Sequence, residues 1–123
     1  MNNQVSVSID VADLELAVDF YTNALGCEHK IKYTEKWEVV TLGSLDIHIQ
    51  EKKAGTTGAG NDIRRYDRHW TPVHLDFGAA DVRQACDAVQ RYGGFVESQS
   101  FSDGADIAIC SDPFGNGFCL IRE

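Results

Sequence analysis

The sequence predicts an α+β domain made of two copies of a β-α-β-β-β module. Three observations carry this reading: a strand-helix-stop pattern that occurs twice, three strand-like runs after each helix, and a chain length that leaves room for one shared core. At 123 residues the chain has the size of one ordinary domain and is too short for two independently stable ones. Duplicated halves must therefore bury their apolar strand faces against each other, inside the chain or across a dimer.

From Gln4 to Val11 apolar and polar residues alternate, with Val5, Val7, Ile9 and Val11 on one face, the period of a half-buried strand. Asp13 is a helix N-cap candidate. Behind it Leu14, Ala17, Val18, Tyr21 and Leu25 form a helical stripe that stops at Gly26. Strand-like runs follow at about Cys27–Tyr33, Trp37–Leu42 and Leu45–Glu51. Residues from about 52 to 70 read as a linker, GTTGAG being flexible and RRYDRHW basic and aromatic, with no phosphate-binding glycine motif.

The pattern then returns. Val73, Leu75 and Phe77 alternate, Asp81 offers a second N-cap, Val82, Ala85, Cys86 and Val89 make a second stripe before Gly93-Gly94, and runs follow at about Phe95–Phe101, Asp106–Cys110 and Gly117–Arg122. Asp81 and Asp13 are 68 positions apart (81 − 13), and the same offset carries Leu14, Ala17, Val18, Tyr21 and Gly26 onto Val82, Ala85, Cys86, Val89 and Gly94. One domain over 1–123 is expected, with module 1 at about 1–51 and module 2 at about 71–123.

Eleven basic against 19 acidic residues leave a net charge of −8, which repels a phosphate backbone and argues against nucleic acid or an anionic membrane as partner. A small molecule is the expected ligand. No stretch nears the roughly 20 apolar residues of a membrane span, and MNNQVSVSID lacks the features of a secretory leader, so a cytoplasmic location is expected. Cys27, Cys86, Cys110 and Cys119 form no C-x-x-C pair, which gives no support to a disulfide framework, and the first three read as small buried apolar residues.

Strand alternation sorts the polar residues. If Leu45, Ile47 and Ile49 face the core, then Asp46, His48 and Gln50 face away; likewise Ser6 and Ser8 oppose Val5, Val7 and Ile9. His74 and Asp76 oppose Val73, Leu75 and Phe77, and Cys119 opposes Phe118 and Leu120.

The order of elements, the stretch VADLELAVDFYTNALG and the C-terminal DPFGNGFCLI resemble the vicinal oxygen chelate superfamily of glyoxalases, extradiol dioxygenases and bleomycin-resistance proteins. HLDF followed by DPFGNGFCL is similar to a glyoxalase-like subgroup of single-domain proteins. The resemblance implies a cupped mixed sheet of eight strands whose concave face holds the ligand, commonly at a dimer interface, and hence a homodimer. It places the first-strand metal ligand seven residues before each capping Asp, at Ser6 and His74, and the fourth-strand ligand at His48 and Cys119.

Cys119 stands where the family usually has a carboxylate. A thiolate with two imidazoles favours Zn²⁺ over harder divalent ions, so the expected metal set is His48, His74 and Cys119, with Asp76 as general base and Ser6, Ser8 and Gln50 lining the ligand cavity. Two functions follow. One is metal-dependent lyase, isomerase or dioxygenase chemistry on a small molecule; the other is metal-free sequestration of a drug or metabolite, as in bleomycin-resistance proteins. Arg64, Arg65 and Arg68 read first as solvated linker charges and second as a clamp for an anionic substrate, Trp37 and Trp70 as filling or stacking groups, and Asp112-Pro113 as turn chemistry.

Overall fold

Both helices begin where the sequence puts an aspartate. The carboxylate of Asp13 accepts from the Leu16 N–H and that of Asp81 from the Gln84 N–H, each at 3.0 Å, satisfying a donor that the first helical turn leaves unpaired. In the computed structural model, which describes residues 1–123, module 1 runs β1 (Ser6–Val11), α1 (Leu14–Asn23), β2 (Glu28–Thr34), β3 (Trp37–Leu42) and β4 (Leu45–Glu51). Module 2 repeats it as β5 (Leu75–Ala79), α2 (Val82–Arg91), β6 (Phe95–Ser100), β7 (Ile107–Ser111) and β8 (Gly117–Arg122).

The eight strands form two mixed four-stranded sheets, ordered β1-β4-β3-β2 and β5-β8-β7-β6. The outer strand β1 runs parallel to β4 and β5 parallel to β8, while the remaining pairs are antiparallel. One continuous eight-stranded sheet is not formed, because β1 and β5 share no ladder. Side chains join the modules instead. A single cluster of 19 buried apolar residues runs through both, and Phe20 of α1 packs against Phe118 of β8 with ring centroids 6.1 Å apart. Helix residues Leu14, Val18, Tyr21, Val82, Cys86 and Val89 are all buried in it, as their periodicity predicts.

The strongest polar tie is Asp112, fully buried in the turn before β8. It accepts from the Tyr21 hydroxyl at 2.8 Å, from the Phe114 and Asn116 N–H groups at 2.8 and 3.0 Å, and from Asn116 Nδ2 at 2.9 Å. Asn116 Nδ2 also donates to the Asp10 carbonyl, so two bonds cross between modules here. Asp112 is therefore more than a turn former. With no cation beside it, burial outweighs these bonds and raises its pKa, and burial with the facing carboxylate raises that of Tyr21.

Two local expectations shift. The turn after α2 is one residue shorter than that after α1: the Cys27 N–H bonds to Tyr21 and the Gly94 N–H to Val89, so Gly26 corresponds to Gly93 rather than Gly94. Gly26 and Gly93 take left-handed φ values of 76° and 95°, which a side chain disfavours. Val5 and Val73, expected on the core face, precede the first residues of β1 and β5 and are 77% and 85% exposed. No helix is long and apolar enough to cross a membrane.

A candidate metal and ligand site on the helix-free face of module 2

Helices cover one face of each sheet, and alternation turns every second side chain to the other. In module 2 the parallel ladder sets Asp76 opposite Cys119 and Leu75 opposite Phe118. Leu75, Phe77, Phe118 and Leu120 pack into the shared core or against it, which leaves His74, Asp76 and Cys119 on the helix-free side. Val39 and Cys119 are the two buried apolar residues outside the core cluster, and both lie on this face, Val39 opposite His48.

The donor atoms of His74, Asp76 and Cys119 all lie within 4.8 Å of one another. His74 Nδ1 is 3.3 Å from Asp76 Oδ1 and 3.9 Å from Cys119 Sγ. Metal–ligand lengths of zinc sites and a tetrahedral angle give separations of about 3.3 Å for N···O and about 3.6 Å for N···S. The two separations measured from His74 Nδ1 are therefore within about 0.3 Å of those of a tetrahedral zinc site. Burial, then the charge of Asp76, raises the Cys119 pKa, while Arg68 acts in the opposite direction.

His48 and His74, expected in one metal set, line different hollows of the chain. His48 lines a hollow of about 960 Å³ with Ser6, Lys30 and Asp46 on module 1. There Trp37 Nε1 donates to His48 Nδ1 at 3.0 Å. Indole only donates, so Nδ1 is the accepting nitrogen and the proton of the neutral ring sits on Nε2. While that bond lasts, neither nitrogen of His48 has a lone pair free for a metal. Ser8 and His74 share a different cleft, of about 480 Å³ between β1 and the segment leading into β5, floored by Phe77 and Phe118. Gln50 stays on the helix-free face, opposite Trp37.

Three features of this site carried little sequence signal. Trp70, 64% exposed, lies with its ring centroid 5.4 Å from that of His74. Arg68 borders the recess that also contains Trp70, His74 and Cys119. Glu97 on β6 receives the Arg68 guanidinium through Nε and, at 3.1 Å, through Nη2. Each depends on the path of an aperiodic linker, which hydrophobic patterning does not define. A separate open groove of about 900 Å³ follows α1 and is walled by Glu15, Asp19, Glu35 and other carboxylates; its histidine, His29, is held by Glu38 at 2.8 Å.

Known structures share this architecture. Over 100% of this chain and 94% of theirs, the fosfomycin resistance protein FosX from Listeria monocytogenes superposes with a TM-score of 0.75 at 16% identity. An E126Q variant of FosX has been crystallised with Mn(II) and 1S,2S-dihydroxypropylphosphonic acid, with a TM-score of 0.74 at 14% identity over 99% and 92% of the two chains. Lactoylglutathione lyase from Agrobacterium tumefaciens matches at 0.65 and 19% identity over 99% and 94%. A glyoxalase/bleomycin resistance protein from Albidiferax ferrireducens T118 gives 0.65 and 22% over 98% of each chain. No curated protein matches. The family model described as a glyoxalase-like domain matches residues 6–121, and the chain belongs to that family, within the vicinal oxygen chelate superfamily.

Proposed function

We propose that this chain is a metal-dependent enzyme acting on a small molecule with vicinal oxygens, and that His74, Asp76 and Cys119 hold the metal. The observation that carries the reading is the convergence of three donors of different chemistry on one helix-free face. An imidazole, a carboxylate and a thiolate suit zinc better than the harder Mn(II) crystallised with FosX, and three protein ligands leave a position open for substrate. When bound, the metal would act as a Lewis acid polarising the substrate oxygens.

The chain's own groups supply the rest. Asp76 is half exposed, Oδ1 faces His74, and a carboxylate oxygen not held by the metal would take a proton from the substrate. Cys119, 8% exposed, closes the floor against water, and the open face of Trp70 offers a platform for a flat substrate part. His48, held by Trp37, presents Nε2–H as a donor rather than a ligand. Two copies form a homodimer through the unpaired edges of β1 and β5, which would cover Val5 and Val73. No specific observation favours the metal-free sequestration reading, and a thiol, imidazole and carboxylate in contact are not what a purely apolar cup requires.

The test is elemental analysis of untagged protein reconstituted with zinc and then dialysed, with light scattering on the same sample. About one zinc per chain, removable by chelator, is expected of a three-ligand site. Protein that retains no zinc contradicts the proposal, and a monomer at micromolar concentration contradicts its dimeric part.

A further inference from the structure

We propose that Arg68 is the anion-recognition residue of the module 2 site and that Glu97 is its latch, exchanged for a carboxylate or phosphonate oxyanion of the substrate when it binds. This rests on the reading of His74, Asp76 and Cys119 as the substrate-facing centre, and three independent observations lead to it.

Arg68 is the only lysine or arginine packed around His74 and Cys119, and the cleft beyond contains neither residue. An anionic ligand approaching Asp76 and Cys119 meets no other permanently cationic side chain of the protein there. The guanidinium is already engaged, its Nε and Nη2 by the Glu97 carboxylate and its Nη1 by the His69 carbonyl. The bidentate fork that Glu97 fills is the geometry an oxyanion would need.

Glu97 is aimed by a backbone irregularity. In the β6–β7 ladder Val96 pairs with Cys110 and Ser98 with Ile109, which leaves Glu97 as the extra residue of a β-bulge. A bulge redirects a side chain that regular pleating would send elsewhere. The floor under the guanidinium is also cut to fit: a Cβ at Gly117 would sit 2.7 Å from Nη2 and 2.8 Å from Cζ of Arg68, and one at Gly115 would lie 3.0 Å from the backbone of Asp67 and Arg68. Two glycines of β8 and its turn thus admit the strap carrying Arg68 onto the site.

The latch can be exchanged for a group of equal geometry. Arg68 and Glu97 side chains are 26% and 32% exposed, so water and an incoming oxyanion reach the pair and compete for the same fork. An oxyanion recovers the same two hydrogen bonds, whereas a neutral ligand gains nothing by displacing Glu97. The site would therefore discriminate for anionic substrates through competition rather than through a vacant cation.

The experiment is an NMR titration of the ¹⁵N-labelled full chain with methylphosphonate and, separately, acetate, following the Arg68 Nε–H and the Gly117 amide, with and without zinc. Saturable shifts at both signals are expected. Glu97→Gln should bind about fivefold more tightly, the scale of one exposed ion pair removed from competition. Arg68→Lys should bind about tenfold or more weakly through loss of the fork, and Arg65→Gln, elsewhere on the linker, should match the wild type. A stronger response to methylphosphonate assigns a phosphonate-like group and to acetate a carboxylate. Arg68→Lys binding like the wild type, Glu97→Gln gaining nothing, or no shift in either protein overturns the proposal. Zinc content measured on the same samples tests the metal reading separately, since anion binding that depends on Arg68 in metal-free protein stands without it.

Discussion

Modules 1 and 2 are two solutions on one scaffold. Carried across by strand register, Ser6 corresponds to His74, Ser8 to Asp76 and His48 to Cys119, because Ser8 pairs with His48 as Asp76 pairs with Cys119. Both second strands bulge at the matching place, exposing Lys30 in module 1 and Glu97 in module 2. Lys30 bonds to Asp46 at 2.7 Å and Glu97 bonds to Arg68, so the same irregularity presents opposite charges. The scaffold fixes which positions face the helix-free side; the residues there decide that only module 2 gathers three metal-ligating groups.

The modules depend on each other most where Tyr21 meets Asp112. Asp112→Ala would leave the Tyr21 hydroxyl and Asn116 amide without their acceptor, and the expected loss is about 3 kcal/mol or more by thermal or denaturant unfolding. An effect below about 1 kcal/mol, the scale of an ordinary surface change, would break the view that this contact ties the modules. The same residue sets a pH signature. The native pKa of Asp112 is raised, so the folded state holds its proton more tightly than the unfolded state. Its contribution to stability is then present at low pH and lost as pH rises through the native pKa. Wild type should gain stability relative to Asp112→Asn as the pH is lowered through the raised native pKa of Asp112, against the slope from carboxylates such as Glu51, whose pKa is lowered by Lys36. A difference that stays flat down to the ordinary carboxylate range would contradict the assignment.

Two glycines in the turns after the helices sharpen the contrast at smaller cost, although they are not equivalent positions. A Cβ at Gly94 would lie 2.7 Å from Phe20 Cε1 of the other module and 2.8 Å from the Ser111 carbonyl, so Gly94→Ala should cost about 2 kcal/mol or more through overpacking. Gly26→Ala meets no atom within 4 Å and should cost only the left-handed backbone penalty, about 1 kcal/mol. Equal losses in denaturant titrations would mean that the modules do not crowd each other at Gly94.

The fold was legible because it rests on local signals. Asp caps, apolar stripes and strict alternation set both helices, and the bounds of β3, β4 and β8 fall where the runs place them. Alternation also put His74, Asp76 and Cys119 on one face. It does not say which faces meet in space, and the resemblance that joins His48 to His74 in one metal set brings together two residues that line separate hollows of the chain. Nor could it anticipate that Trp37 would occupy the accepting nitrogen of His48, or that Arg68 would fold over Gly117, since both depend on contacts without a sequence period. Val5 and Val73 depart from expectation for a related reason: the sequence period continues beyond the first residues of β1 and β5, where the side chains are exposed.

On the proposed reading, module 2 would hold the metal and module 1, on the same scaffold, would not. Zinc affinity measured by competition with a chromophoric chelator, on wild type, His74→Ala and His48→Ala, tests it most directly. Loss of a ligand should weaken binding about a hundredfold or more in His74→Ala, while His48→Ala stays within about threefold of wild type. The opposite ranking, with His48→Ala losing zinc and His74→Ala retaining it, would contradict the account.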